Sequence, residues 1–217
     1  MIVLAFHKAK GLITTHRDEH NRETVYDRLQ AVLPPSLKKL RWHAVGRLDK
    51  DTTGLLLFTD DPAFLQYATQ PTSGLTKTYR ALAKGLLTER DLDQLRSGVE
   101  LSGGLGKSGP AEVRLINHQV ATTWIELVLR EGKNREVRRM LLAIGSQVIR
   151  LERIRVGGLE LDLPVDAYRR LERGEISEKL GYSSTVTTAP ASTSGRRPSP
   201  RPRRQTPEHA SRSRSRR

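Results

Sequence analysis

Gly46-Arg47-Leu48-Asp49-Lys50-Asp51-Thr52-Thr53-Gly54-Leu55-Leu56-Leu57-Phe58-Thr59-Asp60-Asp61 is a charged, glycine-bracketed turn that runs straight into an apolar strand and stops at two acids. Side chains alternate faces along extended chain, so Arg47 and Asp49 share one face while Leu48 points toward the core. A cation beside an aspartate keeps it ionised when a ligand excludes water, which a nucleophilic or proton-abstracting carboxylate requires. Taken alone, the tetrapeptide Gly46 to Asp49 reads more simply as a turn whose aspartate bonds backbone N–H groups or pairs with Arg47.

Working outward, Leu40 to Val45 and Leu55 to Thr59 read as strands flanking the turn, with Ile2 to Phe6 a strand before them. Thr24 to Leu33 reads as a helix that Thr24 caps and Pro34-Pro35 ends, and Pro62 to Thr69 as a short helix opened by its proline. Lys77 to Ala83 is expected as a strand, and Thr88 to Ser97 as a helix with Thr88 at its N-cap and Gly98 as its stop. Strands follow over Ala111 to Ile116 and Thr122 to Arg130, then a helix from about Asn134 to Ile144, a strand from Val148 to Val156 and a last helix over Asp166 to Arg173. Strands outnumber helices without a βαβ rhythm. The pattern predicts a mixed α+β fold whose largely antiparallel sheet forms two lobes around a cleft.

The chain has 217 residues and a formal net charge of +14, and it lacks cysteine, which removes disulfides, thiolate metal sites and cysteine nucleophiles. A cysteine-free chain fits a cytoplasmic location. Its longest apolar run, Met1 to Phe6, is far short of the roughly 20 residues a membrane helix needs, and no basic segment precedes it, so neither a membrane span nor a secretory signal is expected. The charge points to a polyanionic partner, nucleic acid foremost, because phosphate neutralisation releases counterions.

Residues 183 to 217 hold nine Arg against the single acid Glu208, so this segment carries +8 and leaves +6 on residues 1 to 182. Ser, Thr and Pro fill most of the remainder, a composition expected to be disordered for want of apolar surface. The expected organisation is a folded domain over 1–182 and a disordered basic tail over 183–217.

Two further stretches carry chemistry. In Glu131-Gly132-Lys133-Asn134-Arg135-Glu136-Val137-Arg138-Arg139-Met140, helical spacing gathers Val137, Met140, Leu141 and Ile144 on one face. Arg138 lies at the edge of that stripe and is positioned to turn into a cleft, whereas Arg135 and Arg139 are better placed for phosphates. The plainer reading is a solvated basic face. In Thr76-Lys77-Thr78-Tyr79-Arg80, Lys77 and Tyr79 alternate onto one strand face, where Tyr79 suits stacking on an unpaired base or taking a proton from one. A strand tyrosine is more commonly part of a core or sheet surface.

Together and in this order, Gly46 to Asp60, Lys77-Thr78-Tyr79 and Glu131 to Met140 resemble the RsuA-type family of ribosomal RNA pseudouridine synthases. His7-Lys8-Ala9-Lys10-Gly11 and Arg150 to Gly157 extend the resemblance over essentially all of residues 1 to 181. It implies a pseudouridine synthase fold and an isomerase that breaks N1–C1′ of a uridine, turns the base and joins C5 to C1′. It makes Asp49 the catalytic aspartate, Tyr79 the aromatic that stacks on the uracil and a candidate for removing the C5 proton, and Arg138 the cation paired with Asp49. Arg47, Lys77, Lys133, Arg135 and Arg139 are then expected to bind RNA. No nucleotide, redox or metal cofactor is implied, and the expected state is a monomer acting on ribosomal RNA, that of the large subunit foremost.

The chain departs from the family pattern at Ala9, where proline is usual, and at Glu136, where glutamine is. The resemblance starts at the catalytic domain, so the small S4 RNA-binding domain is expected to be absent, which would make the chain similar to the short large-subunit type E.

Ser102 to Ser108 ends like a phosphate-binding loop, but Leu101 stands where the first glycine is required. His16 and His20 have helical spacing without a third metal ligand. The alternative function is a noncatalytic RNA-binding or ribosome-assembly protein, which has no need of a carboxylate at position 49.

Overall fold

The computed structural model describes residues 1–183. The tail expected to be disordered therefore lies, from residue 184 onward, outside the described residues. The chain opens with β1 (Val3–Lys8), α1 (Val25–Val32), the single turn α2 (Pro35–Lys38), β2 (His43–Val45) and β3 (Thr53–Thr59). It continues through α3 (Pro62–Thr69), β4 (Lys77–Lys84), α4 (Glu89–Ser97), the two-residue strands β5 (Glu100–Leu101) and β6 (Gly106–Lys107), β7 (Glu112–His118) and β8 (Thr122–Leu129). The last elements are α5 (Glu136–Ala143), β9 (Val148–Val156), β10 (Leu159–Glu160), β11 (Tyr168–Arg170) and α6 (Arg173–Leu180).

Local chemistry sets most of these boundaries. Thr24 and Thr88 each accept from the backbone of the third helical residue, whose aspartate bonds back to the cap, closing capping boxes on α1 and α4. Asp61 accepts from the amides of Ala63 and Phe64 and so starts α3, with Pro62 in its first turn. The helix expected from Asn134 begins two residues later, because Arg135 takes a left-handed backbone (φ 51°) before α5.

One main sheet runs in the order β11-β1-β3-β9-β4-β8-β7, with β2 added to β3 and β10 to β9. Its pairs are antiparallel except β3 with β9, which run parallel where Thr53 and Gly54 meet Glu152 and Arg153. The two expected lobes are thus two halves of one sheet. In the first half, alternation splits β1 and β3 between two cores: Val3, Ala5, Leu55 and Leu57 pack with α3 and α6, while Leu4, Phe6, Leu56 and Phe58 pack with α1. In the second half, Ala81, Ile125 and Leu127 pack beneath Leu92 and Leu95 of α4 and Val137, Met140 and Leu141 of α5.

The helix expected over Asp166 to Arg173 is absent. Asp166 adopts φ 63°, and Tyr168–Arg170 pairs antiparallel with Leu4–Phe6 as β11. A strand there gives β1 a partner along an edge that would otherwise leave its backbone groups unpaired. The helix begins later, as α6, where Ile176 and Leu180 at helical spacing are buried.

Candidate active site

The turn between β2 and β3 is tied down from beneath. Thr14 Oγ1 donates to Leu48 O at 2.9 Å, and Gly11 N donates to Lys50 O at 2.8 Å. Lys8 is fully buried at the end of β1, and its ammonium donates to Thr52 O at 2.8 Å, Ala9 O at 3.0 Å and Lys50 O at 3.4 Å. Burial pushes the Lys8 ammonium down to about 8, against the charges of Asp49, Asp51 and Asp166. Thr52 N closes the turn onto Asp49 O at 3.0 Å. At the strand start, Gly54 (φ 112°) lies so close to Arg153 that a Cβ would fall 2.3 Å from its carbonyl, and the buried Arg153 donates from Nε to Leu55 O at 2.7 Å.

Asp49, partly exposed at the tip of this turn, meets two guanidinium groups from across the cleft. Arg135 Nη1 lies 3.5 Å and Arg138 Nε 3.7 Å from its Oδ2. Arg138 also donates from Nη2 to Asp51 O at 3.0 Å, so one side chain grips the turn on both sides of Lys50. Burial and the charge of Arg135 lower the Arg138 value while Asp49 and Asp51 oppose them, and a guanidinium remains a cation in any case.

A pocket of about 530 Å³ opens beside Asp49, lined by Arg47, Tyr79, Lys77, Lys133 and Arg135 among others. Such a volume accommodates one small ligand, of the order of a nucleoside. Tyr79 is partly buried and packs against two cores, the one under α4 and α5 and the one beside α1. Lys77 is held below its ordinary value by burial first and by Arg153 next, with the charge of Glu136 opposing. The cationic side chains and the aromatic ring of Tyr79 around Asp49 suit a polyanionic ligand whose reacting group enters the pocket.

Arg138 meets Asp49, as the resemblance implies, but is not part of the pocket wall. Arg139 turns away from the cleft to the carbonyl of Ser102 and, through Nε, to Asn134 O at 3.0 Å, so its guanidinium serves the loop and not the pocket. Lys133 lines the pocket, but its ammonium is engaged by Lys107 O at 2.6 Å and Glu131 Oε2 at 3.2 Å.

Reading by sequence gave no place in the site to Lys8, Arg153 or Glu131, and marked Glu136 only as a departure from the family pattern. For Lys8 a signal existed, since it continues a strand that is otherwise buried throughout; for Arg153 none did, amid the basic run Arg150 to Arg155. His16 and His20 do not share a helix; His16 instead stacks on Tyr26 with centroids 3.8 Å apart.

Residues 2–143 match the model of the RNA pseudouridylate synthase family. The chain is 40% identical over 162 residues to ribosomal large subunit pseudouridine synthase B of Yersinia pestis, covering 73% of this chain and 48% of that protein. It is 35% identical over 199 residues to the protein of the same name from Escherichia coli (strain K12), covering 89% and 64%. The chain thus spans about half to two thirds of the length of these curated relatives, and their B type lends no support to the likeness with the short type E. A crystal structure of a pseudouridylate synthase superposes with a TM-score of 0.71 at 30% identity, covering 82% of this chain and 73% of that one. With the matched segment spanning β1 to α5 and containing Asp49, Tyr79 and Arg138, the chain belongs to the RNA pseudouridylate synthase family.

Proposed function

We propose that this chain converts a uridine of large-subunit ribosomal RNA to pseudouridine, with residues 1–182 as the catalytic domain, acting as a monomer in the cytoplasm. The observation that carries the reading is Asp49, held between Arg135 and Arg138 at the mouth of a pocket walled by Tyr79. The relatives named for large-subunit synthases support the choice of RNA.

In this reading the target nucleotide leaves its stack to enter the pocket, and the uracil stacks on Tyr79. Asp49 either attacks C1′ or removes a proton at C2′, and both routes break N1–C1′. The freed uracil turns and C5 bonds to C1′, which expels the Asp49 carboxylate in the first route and goes with return of the C2′ proton from Asp49 in the second; the C5 proton leaves with Tyr79 as a candidate acceptor and N1 gains a proton, so the isomerisation balances. Arg135 and Arg138 lie against the Asp49 carboxylate, and Arg47, Lys77 and Lys133 face the RNA around it.

RNA carrying tritium at C5 of uridine provides the test. Wild type should release tritium from large-subunit RNA, and Asp49→Asn should be slower by about 10²–10⁴-fold, the range for losing a catalytic acid or base. Equal release by the two proteins would remove Asp49 from the chemistry.

A further inference from the structure

Glu136 opens α5 and is almost fully buried (5% exposed). Its Oε2 accepts from Lys133 N at 3.1 Å, while its Oε1 is buried with no protein donor facing it. An ionised carboxylate would leave that oxygen unpaired at considerable cost. Its neighbour is another carboxyl group: Glu131 lines the same pocket, and the two are bridged by Lys133, whose backbone N–H meets Glu136 and whose ammonium meets Glu131. Glu131 is fully satisfied as an anion, since Oε1 accepts from Gly109 N at 2.5 Å and Oε2 faces Lys133 Nζ at 3.2 Å. A proton on the buried Glu136 relieves that cost, with Glu131 as the neighbouring acceptor.

We propose that Glu131 and Glu136 hold one proton between them at neutral pH, and that this proton positions the cationic wall of the site. It ties the start of the loop that carries Lys133, Asn134 and Arg135 to the first turn of α5. That connection sets where Arg135 and Arg138 meet Asp49. Glu136 is a positioning residue here, and the consequence for turnover rests on the reading of Asp49 as catalytic.

The charges around the pair fit this assignment. Burial first, then the hydrogen bond and charge of Glu131, push Glu136 up to about 8, while the Lys133 N–H and ammonium oppose them. Burial also works against ionisation of Glu131, but its hydrogen bonds with Glu136, Gly109 and Lys133 hold it below its ordinary value. From β4 the Lys77 ammonium faces Glu136, with Arg153 of β9 beside Lys77. A carboxyl group whose native value is raised keeps its proton below that value and loses it above. The bond is thus intact at neutral pH, and alkaline pH sets two carboxylates against each other and loosens the loop.

Lys8 loses its own proton in the same range, so an alkaline fall in activity alone does not single out Glu136. Carbon NMR of the glutamate carboxyl groups in the full chain, titrated from acid to alkaline pH, does. One resonance should titrate near 8 and vanish in Glu136→Gln; titration of every glutamate near the ordinary value of about 4.3 would overturn the proposal. Glu136→Leu should lower kcat by on the order of 10²-fold through a misplaced loop. Glu136→Gln, whose amide donates to Glu131 as the acid does, should rescue most of that loss. A Gln variant as slow as the Leu variant also overturns it. The NMR titration requires no turnover, so it decides the shared proton even if the chain is inactive on RNA.

Discussion

Arg138 donates to the Asp51 carbonyl through Nη2 and holds its Nε 3.7 Å from Asp49, a span that a planar guanidinium covers and an ammonium does not. Arg138→Lys should therefore lower kcat by roughly tenfold or more with less effect on KM, because the lost contact positions Asp49 and the side chain is not in the pocket wall. Single-turnover kinetics on a short RNA substrate would separate the two. Lys8 works from the opposite side of the same turn. Lys8→Met removes the donor shared by three carbonyls and should destabilise the fold by about 1–3 kcal/mol, the range for leaving a buried polar group unsatisfied. Denaturant unfolding measures that loss, and kcat should fall beyond what the unfolded fraction explains. Asp49 was readable as a carboxylate beside Arg47, and the resemblance supplied Arg138 as its partner, but Arg135 was not readable as a second one. Arg135 comes from 86 residues away, and helical spacing had assigned it to phosphates.

Among the elements, the parallel junction of β3 and β9 joins the two halves of the sheet through only two residue pairs. Gly54 makes it possible, since its positive φ and the nearby Arg153 backbone both exclude a side chain. Gly54→Ala should cost about 1–3 kcal/mol from backbone strain alone, with the clash in addition. Hydrogen exchange should show lost protection at Leu55 and Arg153; unchanged protection there would contradict the role of this glycine. Helices α1, α3 and α4 were legible in sequence because Thr24, Asp61 and Thr88 act within three residues of themselves. The end of the chain was not. Whether Tyr168–Arg170 forms helix or strand depends on a vacant edge of β1, more than 160 residues earlier, which no local pattern records.

For the whole molecule, charge is the governing quantity. The surplus divides into +6 on residues 1 to 182 and +8 on residues 183 to 217, and the latter is expected to add nonspecific phosphate contact. Deleting residues 183 to 217 should weaken RNA binding and flatten its dependence on salt, as measured by fluorescence anisotropy over a salt series; an unchanged slope would assign the whole grip to the folded residues. No helix among the described residues is long and apolar enough to cross a membrane. By itself the sequence determined the family, the turn that carries Asp49, the caps of two helices and the proline start of a third, because motif order, alternation and capping are written in neighbouring residues. Only the tertiary structure decided that Arg135 joins Arg138 on Asp49, that Lys8 lies buried beneath the turn, that Arg139 faces away, and that Glu131 meets Glu136. Each of these depends on the distance between side chains on separate strands, loops and helices, and on the burial that sets which of them keep their charge.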